Sequence, residues 1–274
     1  MKKIIALCGI VLAFLMVVPG ISFAAYTING NVSDWGVDLS VSQAANLGYL
    51  NTHLPTQGIY AVDDDDWSGN TGEVYVDPGY SSKNRADAEA IYFDNDQNYA
   101  YLAVITGTPK DWSGYAPYQS HPSQGDIFID TGKYQSPDSP DYDPFKYEYV
   151  LNVEDGKLYS VNSVINSDPK FSPHHNSADP WIMGAGTLVS DNVLFVSNGT
   201  AQNSHYVLEA QIPLAALGLD PKNAIYSTWI HWTMECGNDK NDLHPVPEPA
   251  SLSLLGLGLI GLAGRRVKKL AVKK

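Results

Sequence analysis

The sequence predicts an all-β protein, an antiparallel β-sandwich of the jelly-roll kind, with a signal helix ahead of it and a short transmembrane sorting helix behind it. Three observations carry that expectation. Short alternating or aromatic-rich runs recur along the chain, clusters of Gly, Pro, Asn and Asp separate them, and no long stretch repeats its apolar residues with helical period. Apolar residues at alternate positions suit a pleated strand with one face inward, so many such runs at short spacing build stacked sheets.

Lys2 and Lys3 precede the apolar run Ile4 to Val18, Pro19 and Gly20 break it, and Ser22 and Ala24 put small residues where a signal peptidase reads them. Residues 1–24 are therefore expected to be a signal peptide. Cys8 lies inside the apolar run, which rules out a lipoprotein anchor.

The mature chain opens with "YTINGNVSDWG", where Trp35 is expected to plug the core. Next comes "DDDDW". Asp63, Asp64, Asp65 and Asp66 repel one another unless water or a hard cation screens them, so a structural calcium is the one cofactor considered, against a plain solvated loop. "EAIYFDNDQNYAYLAVITG" reads as a hairpin, Ala90 to Phe93 and Tyr99 to Thr106 around the turn-forming Asp94 to Asn98. Asp94, Asp96 and Asn98 imitate the start of an EF-hand loop. Tyr99 stands where that loop needs Gly and Ile105 where it needs Glu, so the turn reading holds.

In "KDWSGYAPYQSHPSQG", Trp112, Tyr115, Tyr118 and His121 recur every three positions among turn formers. Aromatic faces beside carboxylates and amides can stack on a sugar ring while the polar groups take its hydroxyls. Trp112, Tyr115 and Tyr118, with Trp67, are thus candidate ligand-binding residues. The competing reading is a loop folded back on its own aromatics, and the sequence leaves both open.

Further strands are expected at "GDIFID", at "KYEYVLNVEDGKLYSVNSV" with a turn at Asp155-Gly156, at "NVLFVS", at "HYVLEAQIP" and at "YSTWIHWTM". A second acidic loop, "SPDSPDYDP", offers Asp138, Asp141 and Asp143 as weak calcium candidates on the same terms as the first. In "YVLEAQI", Tyr206, Leu208, Ala210 and Ile212 share one face and Val207, Glu209 and Gln211 the other. Only Leu214 to Leu217 reads as helical.

The domain so delimited, residues 25–245, ends at a change of composition. Val246-Pro247-Glu248-Pro249 forces an extended approach, Ala250 to Gly264 is apolar or small throughout, and Arg265, Arg266 and four lysines follow. At ~1.5 Å per residue the apolar run reaches about 22 Å as a helix, short of a ~30 Å hydrocarbon core. The basic flank would hold its far side in the cytoplasm, so residues 246–274 read as a transient stop-transfer anchor.

Charge bounds the partners. The formal charge is −13, but two of the 17 basic residues lie in the signal peptide and six in the tail. Nine remain against 29 acidic residues once Glu248 is set aside, which leaves the domain near −20. Such a surface repels nucleic acid and anionic lipid and suits neutral polymers or divalent cations. Cys236 is the one thiol after signal removal, so the domain has no internal disulfide; that thiol either pairs between chains or stays buried.

Two resemblances rest on quoted residues. "VPEP", the Gly/Leu-rich run and the basic tail resemble the PEP-CTERM sorting signal, which implies a Gram-negative bacterium, processing by an exosortase, and delivery to the outer surface or extracellular matrix. "YTINGNVSDWG", "EAIYFDNDQNYAYLAVI" and "YVLEAQIPLAALGL", in that order, resemble the family 9 carbohydrate-binding-module-like (DOMON-like) β-sandwich. That resemblance implies a scaffold used by sugar-binding modules, some with structural calcium, and by haem-binding relatives. The expected function is therefore an exported surface or matrix protein that binds carbohydrate or associates with exopolysaccharide, membrane-bound only through its transient C-terminal helix. The alternatives are a structural matrix protein with no specific ligand and a secreted glycan hydrolase. No G-x-S-x-G or H-E-x-x-H occurs, and the pairs Asp126 with Asp130 and His231 with Glu235 are the kind that any acidic β-protein offers, so no catalytic residue is expected.

Overall fold

The computed structural model describes residues 26–39, 55, 58–62, 88–110, 124–137, 139–143, 146–166, 180–197, 205–234 and 240–245. Its strands are β1 (Ile59–Val62), β2 (Ala88–Asn95), β3 (Tyr99–Thr106), β4 (Ile127–Asp130), β5 (Tyr149–Asn152), β6 (Lys157–Ile165), β7 (Ile182–Ser190), β8 (Leu194–Ser197), β9 (Tyr206–Pro213), β10 (Trp229–Thr233) and β11 (Lys240–Leu243). They form a five-stranded sheet, β1-β2-β3-β9-β8, and a six-stranded sheet, β11-β10-β4-β5-β6-β7. Every named pairing is antiparallel. The expected sandwich is the observed one.

Alternation explains why the sheets stack. Leu208, Ala210 and Ile212 of β9 enter the core between the sheets with Phe93, Leu102 and Val104, and meet Ile127, Ile129, Leu151, Ile230 and Trp232 from the other sheet. Each of the Leu, Ile, Val and Phe side chains contributes about 1.5–3 kcal/mol on burial. The opposite face of the five-stranded sheet is also apolar, through Ala90, Tyr92, Tyr101, Ala103, Ile105 and Val207. A second core must cover it.

The cover is a strap formed by residues 26–39, which packs Tyr26, Val32, Trp35, Val37 and Leu39 onto that face. Within it a single 3-10 turn, Val32–Trp35, is capped by Asn31, whose side chain accepts from the Ser33 N–H, and is stopped by Gly36 at φ 82°. Trp35 is fully buried, stacked on Tyr26 with ring centroids 3.9 Å apart. The strap is pinned where the backbone N–H groups of Asn29 and Gly30 donate to Glu209 Oε2 at 3.0 and 2.6 Å.

Several elements depart from the sequence expectation. β1, β7 and β11 were not anticipated, and β2 runs longer at both ends than Ala90 to Phe93. Besides α1 (Leu214–Leu217), a turn of helix α2 (Ala224–Ser227) occupies the start of the "YSTWIHWTM" run. There the Ser227 hydroxyl donates to the Asn223 carbonyl and the Thr228 hydroxyl to that of Ala224, which turns the chain before β10 can begin. The expected signal and sorting helices and Cys236 lie outside the described residues. No helix among the described residues is long and apolar enough to cross a membrane.

The β6–β7 hairpin bends. Its register pairs Leu158 with Ser190 and Ile165 with Ile182, which in a flat sheet would carry Trp181 well beyond the start of β5. Instead the Trp181 carbonyl accepts from the Asp126 N–H, the Met183 N–H donates to Asp126 Oδ2, and the Pro180 carbonyl accepts from His231 Nε2. Asp126 and His231 flank Ile127 and Ile230, which point into the core, so the far half of the hairpin returns over the sheet's outward face. Register shifts between Val161 and Ser163 and between Ser163 and Val164 supply the bend.

Candidate functional site

Strand polarity gathers the loops. β1, β3 and β8 end, and β2 and β9 begin, at the same end of the five-stranded sheet, as the pairs Val62 with Ala90, Ala88 with Thr106, Thr106 with Tyr206 and Ser197 with Leu208 require. The start of β4 joins this end, because Gln124 Nε2 donates to the Thr108 carbonyl and the Ser197 hydroxyl donates to Gln124 Oε1. Residues 63–87 and 107–123 both leave and re-enter the sandwich here. The flanks of Asp63 to Asp66, Trp67, Trp112, Tyr115 and Tyr118 are thus on one end, although these residues themselves lie outside the described residues.

The base of this end is polar and buried. Glu89 occupies a bulge between Ala88 and Ala90, and its Oε2 lies 2.5 Å from His205 Nδ1, with both side chains fully buried. The Thr108 N–H donates to the Thr106 hydroxyl at 2.9 Å, and both threonines are fully buried. Buried polar groups of this kind fix the strand ends from which loops depart.

The acidic loop between β4 and β5 is at the opposite end. Asp143 pairs with Lys146 at 3.1 Å, and its N–H donates to the Tyr134 carbonyl. The Asp141 N–H donates to the Ser139 hydroxyl, and the Lys133 ammonium lies 4.7 Å from the centre of the Tyr134 ring. Asp138 lies outside the described residues. Asp141 and Asp143 are therefore at the opposite end from Val62 and Ala88, between which residues 63–87 run. Among the described residues no group of three His, Cys, Asp or Glu is placed to hold a metal ion. This loop also exposes half of Tyr142, an aromatic that the sequence reading passed over for the carboxylates on either side of it.

The carboxylates weighed for catalysis are engaged by backbone. Asp126 accepts from Val153 N at 2.8 Å, Met183 N at 2.9 Å and Asn152 Nδ2 at 3.1 Å. Asp130 accepts from the N–H groups of Gly132, Tyr134 and Gln135. Burial pushes both carboxyls above their ordinary range, partly offset by these donors. Asp126 thus braces the crossing of the segments at Val153 and Met183, and Asp130 the turn that follows it. His231 faces Asp242 at 2.6 Å and Pro180 at 3.0 Å, and Glu235 is outside the described residues.

Tryptophan placement is mixed. Trp35 and Trp232 are fully buried, the latter donating from its indole to the Gly125 carbonyl, whereas Trp181 and Trp229 are half-buried. A shallow depression of about 280 Å³ on the strap, lined by Asn31, Ser33, Val37 and Asp38 among others, is smaller than an ordinary small-molecule pocket.

Residues 245–268 match the PEP-CTERM protein-sorting motif. The protein thus carries an exosortase-type signal for export and membrane-anchored sorting in Gram-negative bacteria. Val246, Pro247, Glu248, Pro249, Arg265 and Arg266 fall within the matched segment, outside the described residues. No curated protein matches the sequence. Two solved structures of a family 9 carbohydrate-binding module from Caldicellulosiruptor kristjanssonii resemble the fold. One, in complex with glucose, shares 15% identity at a TM-score of 0.30, over 77% of this chain and 75% of that one. The other, with cellotriose, shares 14% at 0.28, over 77% and 73%. Scores this low add nothing to what the strand pairings establish, and the sugars are those of the matched proteins.

Proposed function

We propose that this is an exported, exosortase-processed protein of the cell surface or extracellular matrix, whose sandwich holds exopolysaccharide at the end where residues 63–87 and 107–123 meet. The sorting motif supports the destination. The observation that carries the ligand reading is topological: strands far apart in sequence bring the flanks of Trp67, Trp112, Tyr115 and Tyr118 to one end, over a fixed base. A domain near −20 repels polyanions, so the polysaccharide is neutral, cationic or bridged by calcium held at Asp63 to Asp66. Stacking then supplies most of the affinity. The protein is not an enzyme in this reading, since Asp126 and Asp130 serve as braces.

Trp112→Ala tests it. Loss of a stacking anchor costs about 2 kcal/mol, roughly thirtyfold in affinity. The variant should lose retention on the producing bacterium's exopolysaccharide while melting within a few degrees of the parent. A parent protein that no neutral glycan retains, or a variant that unfolds, would instead favour a structural matrix protein without a specific ligand.

A further inference from the structure

The two sides of the sandwich differ in how their sheet edges are protected. On one side β1 and β11 close on each other, with Asn241 Nδ2 donating to the Ala61 carbonyl at 3.5 Å, and β11 carries the charges Lys240 and Asp242. On the other side, among the described residues, β7 ends the six-stranded sheet and β8 ends the five-stranded one, joined by a short turn. Residues 158–166 and 180–190 contain no Asp, Glu, Lys, Arg or His. Val164, Ile165, Leu188, Val189 and Leu194 are all exposed there, Leu194 to 60%. Proteins ordinarily blunt an edge strand with charge or proline, and β7 has neither.

We propose that β7 is an interface on which a second copy of this chain pairs, antiparallel and edge to edge. Register shifts set Gly184 and Val189 as extra residues of β7 opposite β6, so β7 itself runs without an inserted residue from Ala185 to Leu188, the extra residue of the shift at Gly186 being Asn162 on β6. A two-fold axis between Gly186 and Thr187 sets Leu188 of one copy against Ala185 of the other, and the small residues let the backbones approach. Charge selects this occupant. A basic partner is drawn to the acidic surface that covers the rest of the domain, whereas two copies near −20 each meet at least cost where neither carries charge. The contact is independent of the glycan reading, since it uses none of the loops at the other site.

The test is sedimentation of the protein isolated from the cells that export it, from about 10 μM to about 1 mM, the range for a small interface. The expected result is a dimer that forms with concentration. Leu188→Glu, which sets a charge in the apolar contact, should weaken it at least about tenfold, and Tyr226→Glu, equally a new charge on an exposed side chain but on α2, should not. Hydrogen exchange on the unaltered protein should slow at residues 185–188 in the concentrated sample and nowhere else along β6–β8. A monomer throughout the range, equal weakening by both substitutions, or exchange at 185–188 that ignores concentration would each overturn the proposal.

Discussion

Asp242 sits between the His231 imidazole at 2.6 Å and the Lys240 ammonium at 2.6 Å, both on neighbouring strand positions. Burial by itself would push its carboxyl up, but these two partners more than reverse that and hold it well below the usual carboxylate range. Between the folded value and the ordinary value near 3.9 the unfolded chain binds more protons, so this group's stabilisation is present above about pH 4 and is lost as pH falls further. Asp242→Asn should therefore cost about 2 kcal/mol at pH 7, a drop of roughly 4–8 °C in Tm for a domain of this size. Melting the two proteins at pH 7 and at pH 2.5 checks the sign, because the gap should narrow at the lower pH. Glu209 behaves oppositely: burial pushes its carboxyl up despite the N–H groups of Asn29 and Gly30. That Glu209 shares an outward face with Val207 was legible in the alternation of "YVLEAQI". Its burial was not, because the strap that covers it lies 179 residues earlier.

At the level of elements, the strap does the work of a third layer. Trp35 fills the middle of it, against Tyr26 and, at 6.1 Å, Tyr92. Trp35→Ala should cost about 3–5 kcal/mol and expose the apolar face of β2, β3 and β9, which thermal melting and a hydrophobic dye would register together. The sequence marked Trp35 as a plug because it follows an opening motif, β2 and β3 as apolar runs on either side of the turn-forming Asp94 to Asn98, and β9 by alternation. It missed β7 because "IMGAGTLVS" has no apolar–polar period: a Cβ at Gly184 or Gly186 would meet Ser163, Met183 and the backbone of β6, so small residues stand where a strand pattern would show larger ones. β11, with "KNDL", was hidden for a different reason. Lys240 and Asp242 are suited to a sheet edge, and nothing local distinguishes them from loop residues.

For the whole molecule, the order of strands in the two sheets decides which loops become neighbours, and no local pattern encodes that. The aromatic and acidic composition of 63–67 and 112–118 was readable, while the placing of Asp141 and Asp143 at the opposite end from Val62 needed the topology. If calcium is held at Asp63 to Asp66, it must stabilise the folded state, by about 2.7 kcal/mol at a hundredfold excess over its Kd. Melting in calcium should then exceed melting in chelator at equal ionic strength, and coincident curves would remove the ion. The sorting motif predicts a surface product that has lost Arg265 to Lys274, which intact-mass measurement would detect. The strap adds a constraint on how such a chain becomes compact. If the chain is exported N-terminus first, as a signal peptide over residues 1–24 would direct, its opening residues reach the far side of the membrane long before β9, the strand that carries their anchor Glu209. Fewer than 40 residues then remain before Ala250. On that route the second core could close only after β9 had followed the strap across, late in the passage of the domain.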